Sequence, residues 1–310
     1  SFVSKSSTGG YTTSSEIDFI RQSTYSSRWV VASDYNNDRL KPALAVPAVA
    51  PVPGAWTDPD LANASYDSVS FSVSGQDGAP SDLDFNNDGT KLFVLGATDD
   101  DINEYTLSTA YDISSASFVR NQSFTSNNPY GFFISSDGLK LYVAGIDGII
   151  HQHSMSSAWD ITTLTYDSVS YNATAQVGSL RDLWIKPDGT KMYLVDATGD
   201  DINEYTLSTA WDVSSASYVQ NFSLTTQDNT PIGVYFNPNG NKFWIYGFTS
   251  DTVYEYTLST AWDLSSASYS TVSFSAASQV SFGLGITFSR DGAKMYVSDN
   301  SGDTIYQYST

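Results

Sequence analysis

Short runs of alternating apolar and polar residues fill most of the chain, and the same set of runs recurs. In its first copy the set comprises strand-like segments at 81–85, 90–96, 102–107 and 118–124. A period of two residues is typical of β-strands whose two faces differ in burial. Gly89 closes the turn between the first two segments, where Asp-Gly supplies the positive φ that a tight hairpin needs. The pattern predicts antiparallel β-structure in four-stranded units.

The four-stranded unit repeats along the chain. Its third strand and the connection that follows read DINEYTLSTAYDISSASF at 101–118 and DINEYTLSTAWDVSSASY at 201–218, with related copies at 148–166 and 251–269. Self-similarity at such a period is typical of solenoids and propellers, and four antiparallel strands per repeat indicate a propeller blade. The turn glycines, which are 49 to 52 residues apart, are Gly89, Gly138, Gly189, Gly240 and Gly292.

The last repeat ends at Thr310 after its third strand and lacks a fourth. ASYDSVSFSVS at 64–74 matches the fourth-strand sequence ASYSTVSFSAA at 267–277, so the N-terminal strand is predicted to pair with the C-terminal one. This closure removes exposed sheet edges. We therefore predict an all-β fold, a five-bladed β-propeller over residues 62–310. Residues 1–61 do not repeat and are predicted to form an irregular N-terminal extension that acts as an anchor or tether.

The composition is acidic, with 34 Asp and Glu against 14 Lys and Arg and a formal net charge of −20. This balance argues against binding to nucleic acid, which requires basic residues to neutralise phosphates. The chain has no cysteine, which excludes disulfides and thiolate metal sites. No run of apolar residues is long enough to predict a membrane span.

Aspartate recurs in the turns that should open on one face of the propeller. One hypothesis is an anionic funnel that holds Ca²⁺ through carboxylate oxygens. The alternative is that each aspartate only initiates its turn. The residues predicted to bind the cation are Asp82, Asp100, Asp182, Asp200, Asp251 and Asp303.

Aromatic residues recur in the connection after the third strand. They could stack on sugars and make a multivalent lectin, or they could fill the space between blades. The only two histidines, His151 and His153, share one face of a strand, and packing between blades is favoured for them over a metal site. The candidate stacking residues are Tyr111, Trp159, Trp211 and Trp262.

Two resemblances follow from these motifs. SSDGLKLYV at 135–143 and SRDGAKMYV at 289–297 resemble the hairpin of the YVTN and lactonase-like propeller repeats. The longer EYTLSTAWD unit resembles repeats in large surface proteins and virion-associated proteins of marine bacteria and their phages. The resemblance covers residues 62–310 and implies a propeller fold.

The near-identity of the repeats favours a non-enzymatic role, because an active site breaks repeat symmetry. We expect a surface or virion structural protein, with the propeller as a display or receptor-binding head for host attachment. Its location would be extracellular or on the virion, and residues 1–61 would contact a virion body or surface assembly in which the chain is a homo-oligomer. The alternatives are a secreted lectin or cation-binding module with a glycan receptor, and a propeller enzyme, either a lactonase or a glycosidase.

Overall fold

The computed structural model of the protein describes residues 56–124 and 128–310. These residues form five four-stranded antiparallel sheets, which we number as blades I to V. Blade I comprises β2 (Pro80–Phe85), β3 (Lys91–Gly96), β4 (Asp101–Leu107) and β5 (Ala116–Ser123). Blade II comprises β6 (Pro129–Ile134), β7 (Lys140–Gly145), β8 (Ile149–Met155) and β9 (Leu164–Asn172).

The other blades repeat this order along the chain. Blade III comprises β10 (Leu180–Ile185), β11 (Lys191–Asp196), β12 (Asp201–Leu207) and β13 (Ala216–Ser223). Blade IV comprises β14 (Pro231–Phe236), β15 (Lys242–Gly247), β16 (Thr252–Leu258) and β17 (Ala267–Ser275). Blade V comprises β18 (Gly283–Phe288), β19 (Lys294–Asp299), β20 (Thr304–Ser309) and, from the other end of the chain, β1 (Ser65–Ser72).

The ring closes through the N-terminal strand, as the sequence predicts. β1 pairs with β20 in antiparallel register from Ser65 opposite Ser309 to Ser72 opposite Thr304. The five first strands contact one another in order around the axis, and β18 returns to β2. The predicted five-bladed all-β propeller is therefore confirmed. None of the described helical segments is long and apolar enough to cross a membrane.

Burial explains the strand patterns. The second strand of every blade is buried on both faces beyond its first residue, because blades pack face to face. The fourth strands lie at the rim and alternate between exposed and half-buried residues. Hydrophobic clusters fill the seams between neighbouring blades, so the core is distributed around the ring.

The hairpin turns and the connections hold each other in place. Gly240 has φ of +67°, and a Cβ atom there would lie 2.0 Å from the indole of Trp262. Glycine is therefore required both by the backbone conformation and by the aromatic ring of the connection. Each connection then makes a short 3₁₀ turn, in which the Asp263 carboxylate accepts a hydrogen bond from the Ser265 N–H. The equivalent capping residues are Asp112, Asp160 and Asp212.

Blade V obtains its connection from the N-terminal segment. Leu61–Asn63 form the same 3₁₀ turn, and Leu61 is buried. Trp56 packs against Tyr235 and Trp244, and the Thr57 N–H donates to the Asp291 carbonyl. Trp56, Thr57 and Leu61, on the N-terminal side of the predicted boundary between residues 61 and 62, therefore pack against the propeller.

Candidate functional site

The five first strands surround a narrow channel on the propeller axis. At one level β2 and β10 carry aspartates, Asp82 and Asp182, and the other three strands carry glycine. The next level is larger and less regular. Its lining residues are Asp84, Phe133, Trp184, Tyr235 and Thr287.

The two channel aspartates connect neighbouring blades. Asp82 accepts hydrogen bonds from the N–H of Leu83 at 2.8 Å and from that of Phe132, in blade II, at 2.9 Å. Asp182 accepts equivalent bonds from Leu183 and from Val234, in blade IV, both at 2.7 Å. Each carboxylate thus spans one seam of the ring at the axis.

Glycine in the adjacent strand makes room for this arrangement. A Cβ atom on Gly131 would lie 2.6 Å from Asp182, and one on Gly285 would lie 2.7 Å from the backbone of Asp82. Such distances are well inside van der Waals contact, so no larger residue fits without displacing a first strand. The glycines of blades II and V at this level are therefore a packing requirement.

Both channel carboxyls are only 5% exposed. Burial raises the pKa of Asp82 well above its ordinary value, and the nearby Asp182 raises it further. Burial likewise raises the pKa of Asp182, although the hydrogen bonds that it accepts from two backbone N–H groups oppose the shift. Buried carboxyls that face the same small cavity cannot both carry a charge without mutual repulsion. The pair is suited to retaining a proton near neutral pH.

The second level is closed by an ion pair that occurs in no other blade. The Arg290 guanidinium lies 2.8 Å from an Asp84 carboxylate oxygen and also donates to the Phe85 carbonyl and the Tyr235 hydroxyl. The Thr287 hydroxyl donates to the second Asp84 oxygen at 2.9 Å.

Trp56 then covers Tyr235 from outside, with ring centroids 5.9 Å apart and planes inclined by 16°. One signal for this cluster is visible in the sequence, because Asp84 and Arg290 both depart from the repeat.

The space between the two levels is very small. The volume open to the centre of a water molecule is about 10 Å³, which is roughly what one water requires. Pockets for organic ligands are much larger, on the order of 300 Å³ or more. The described channel can therefore hold a proton or one water between its carboxyls but not a sugar or a lactone.

The four predicted turn aspartates lie away from the channel. Asp100, Asp200, Asp251 and Asp303 occupy the turn between the second and third strands, one in each of four blades. Each has φ between +46° and +50°, and Gly148 stands at this position in blade II. Aspartate and glycine are among the residues that tolerate this left-handed conformation.

Of the six predicted cation ligands, the structure thus brings together only Asp82 and Asp182. Among residues 56–124 and 128–310, no three Asp, Glu or His side chains are grouped closely enough to hold a metal ion. The Ca²⁺ site stays a prediction.

The predicted stacking aromatics lie against their hairpin glycines. Trp262 is 9% exposed and stacks on Phe236, and Trp159 stacks on Phe93. Tyr111 and Trp211 are half-buried in the equivalent places. This packing matches the interpretation in which the ring fills the space between blades, and a sugar-binding role for these residues stays a prediction.

A further set of acids attaches four of the five blade-to-blade loops to the neighbouring turn. Asp77 lies in the loop before blade I and accepts hydrogen bonds from the N–H groups of Ala79 at 2.5 Å and Asp99 at 3.3 Å. Asp228 does the same before blade IV. In both blades the second strand ends in glycine.

Blades III and V make the same attachment from the opposite side. Asp196, the last residue of β11, accepts from the N–H groups of Gly178 and Ser179 in the loop, both at 2.8 Å. Asp299 ends β19 and accepts from the N–H of Phe282 at 3.0 Å. The loop position that carries aspartate in blades I and IV carries valine here.

No protein-family profile matches the chain, and no curated protein matches it. Solved structures of similar fold include a functionally unknown protein from Desulfotomaculum acetoxidans, with a TM-score of 0.44 and 12% identity over 71% of this chain and 62% of that one. A presumed 6-phosphogluconolactonase from Bacteroides uniformis has a TM-score of 0.47 and 11% identity over 74% of this chain and 66% of its own.

The β-propeller domain of Cps50 (Swd1) from Myceliophteria thermophila has a TM-score of 0.48 and 10% identity, over 80% of this chain and 99% of that domain. The chain therefore spans less than two thirds of the length of the first two structures. At such low identity the likeness concerns the fold alone. The resemblance to phage and surface-protein repeats stays a prediction.

Proposed function

We propose that the protein is a non-enzymatic display or receptor-binding head at the surface of a cell or a virion. The observation that carries this proposal is the closed channel. Pockets for small-molecule substrates are on the order of 300 Å³ or more, whereas the space between Asp82 and Asp182 on the axis is about the size of one water, and Arg290 and Trp56 pack at the level next to it.

The regular surface supports the same proposal. All four predicted turn acids have a conformational reason for being aspartate, as do the capping residues of the connections, so repeated side chains largely serve the fold. A scaffold of this kind presents loops at fixed spacing around a ring. We propose that residues 1–61 supply the contact with a virion body or surface assembly, in which the chain is a homo-oligomer.

Two experiments test the display role. Immunogold electron microscopy of native particles or cells, with an antibody against the full chain, should label the outer surface. Labelling confined to the cell interior would contradict the proposal. A labelled full chain on a glycan array separates display from the lectin alternative, since saturable binding to one glycan class would favour a lectin.

A second candidate function is hydrolysis, because the residues that break the repeat are concentrated in the channel. Paired buried carboxyls with raised pKa values are typical of acid–base catalysis. The test is turnover of lactones and arabinan-type glycosides by the full chain, with and without divalent metal. Turnover that is lost in Asp182→Asn would replace the display proposal with an enzymatic one.

A further inference from the structure

The seam between blades I and II differs from the other four at its third strand. In those seams a tyrosine of the third strand packs edge-on against an aromatic residue of the preceding blade's fourth strand, as Tyr105 does on Phe71 and Tyr256 does on Phe222. In blade II His153 stands at this position, with its ring 6.0 Å from that of Phe124 and 5.3 Å from that of Tyr166.

His153 is only 2% exposed, and neither of its ring nitrogens has a hydrogen-bond partner among the described residues. Tyr105 and Tyr256, by contrast, donate to glutamines of the preceding loop. The hydroxyls of Tyr205 and Tyr308 also lack partners, but a phenol stays neutral in mild acid. Only the imidazole acquires a charge when the pH falls below neutral.

The same seam lacks the carboxylate that fastens the other loops. At the position of Asp196 and Asp299 blade II has Gly145, and its loop ends in Asn128. Within the described residues, the link from this loop to the turn of blade II is the backbone hydrogen bond from Ile146 to the Asn128 carbonyl. The loop is also shorter, since only 124–128 separate β5 from β6.

We propose that the seam between blades I and II is an acid-sensitive joint, which the neutral imidazole of His153 keeps closed and which opens when that imidazole is protonated. A positive charge in this aromatic environment would have no buried counter-ion available. The proposal concerns the stability of one seam and does not depend on the display role.

The groups that face His153 support this view. His151 on the same strand would add like charge, and β7 contributes apolar Leu141. Asp167 on β9 is the nearest acid, but its carboxylate already accepts from the Lys140 ammonium and the Gln152 amide, both at 2.9 Å. Residues 125–127 are Thr, Ser and Asn, which do not titrate.

A metal ion is a poorer explanation for the unpaired nitrogens. The Tyr166 ring contacts both imidazoles, with centroids 5.7 Å from His151 and 5.3 Å from His153. No third ligand lies nearby among the described residues.

Burial, and next the neighbouring His151, lower the pKa of His153 to about 4 from its ordinary value of 6.5. Between pH 4 and pH 6.5 the closed seam thus binds fewer protons than an open one. The stability that the neutral imidazole contributes is therefore present above pH 6.5 and is lost as the pH falls towards 4. At pH 4.5 the opening equilibrium should shift by a factor on the order of 50 to 100 relative to pH 8.

Hydrogen exchange of the full chain, read by mass spectrometry and corrected for intrinsic rates, tests the joint. On going from pH 7.5 to 4.5, protection of β6 and β8 should fall at least tenfold more than that of β14 and β16, the equivalent strands of blade IV. His153→Tyr, which copies the other blades, and His153→Phe should each remove the difference. His151→Asn, which copies blades I and III, should retain it.

Equal loss of protection in all blades would overturn the proposal, as would an unchanged difference in the His153 variants. A rise in β8 protection on adding Zn²⁺ or Cu²⁺ at pH 7.5 would overturn it in favour of a metal site, provided that the rise is absent from the His153 variants and from His151→Asn. Should neither His153 variant fold, titration of the two imidazoles by NMR in the natural chain decides. A pKa below 5 for one of them supports the joint, and two values near 6.5 overturn it.

Discussion

Blades II and IV differ in where they keep the negative charge that faces the lysine at the start of the second strand. In blade IV the Lys242 ammonium lies 3.3 Å from Glu255 on the third strand. In blade II the glutamate is replaced by Gln152, and Lys140 lies 2.9 Å from Asp167 on the fourth strand. The charge is kept while the residue that carries it changes.

The loop attachments show the same exchange. Blades I and IV place the carboxylate in the loop and glycine at the end of the second strand, whereas blades III and V place it at the strand end and valine in the loop. Gly96 illustrates why the two sets exclude each other, since a Cβ atom there would lie 2.2 Å from a carboxylate oxygen of Asp77. One carboxylate occupies the space, from either side.

These exchanges show that many acids of this chain bind partners within the fold. At the loop attachments the partners are backbone N–H groups, and at the start of the second strand the partner is a lysine. A buried donor that loses its acceptor costs about 1–3 kcal/mol, which is enough to maintain such acids without any ligand. Asp82, Asp84 and Asp182 have no equivalent in the remaining blades, and they meet at the axis. The comparison therefore separates structural acids from those of the channel.

The most severe way to break the ring is to remove the segment that completes blade V. A chain that begins at residue 74 lacks Trp56, Leu61 and β1, and should lose cooperative folding because β20 becomes an open edge. A chain that begins at residue 56 is the matched control and should melt as the full chain does. Thermal unfolding followed by circular dichroism distinguishes them, and equal melting of the two truncated chains would contradict the role given to β1.

The loop attachment can be broken and rebuilt. Asp77→Val leaves the buried N–H groups of Ala79 and Asp99 without their acceptor and should lower the unfolding free energy by about 2–4 kcal/mol. Adding Gly96→Asp recreates the arrangement of blade III and should recover most of this loss. Urea denaturation of the two single variants and the double variant measures it.

Gly96→Asp alone is the control, because it forces two carboxylates into one space. It should destabilise the chain. The loss of unfolding free energy in the double variant should then be much smaller than the sum of the losses in the two single variants. Additive losses in the double variant would mean that the two positions do not share one carboxylate site.

The sequence was sufficient for the blades and their closure, because near-identical repeats align strand by strand and β1 retains the fourth-strand pattern. It did not reveal the fifth connection. Trp56 and Asp60 correspond to Trp262 and Asp263, but three inserted residues, Thr57, Asp58 and Pro59, separate the first pair and obscure the match.

The channel cluster was equally inaccessible from the sequence. Asp84 and Arg290 belong to opposite ends of the chain and meet only because the ring closes. The exchange of carboxylates at the loop attachments could not be foreseen either, because an aspartate next to a turn looks the same in the sequence whether it fastens a loop or faces solvent.

The channel acids should respond to pH in the opposite sense to His153. Because the pKa values of Asp82 and Asp182 are raised in the folded chain, their contribution to stability is present at low pH and is lost as the pH rises through the folded values. The unfolding free energy should fall between pH 5 and 8 by at most about 1.4 kcal/mol per pH unit for each proton released. Asp182→Asn should flatten this slope, and Asp188→Asn, at an exposed turn, should not. An unchanged slope in Asp182→Asn would show that the channel pair does not titrate in this range.

The smallest expected effect is the relocation of the charge that faces the lysine. Asp167→Ser, which copies the Ser270 of blade IV, leaves Lys140 without its carboxylate. The loss should be about 1 kcal/mol, because the lysine is 31% exposed and the ion pair is screened by solvent.

Adding Gln152→Glu should restore stability, since Glu255 serves this purpose in a blade whose fourth strand has the same length. A glutamate can also keep the hydrogen bond that the Gln152 carbonyl oxygen accepts from the Val213 N–H, as Glu204 does for Leu264. Urea denaturation at low and high NaCl gives the readout, with the difference between single and double variants shrinking as salt rises. A double variant that is no more stable than Asp167→Ser at low salt would show that the two positions are not interchangeable carriers of one charge.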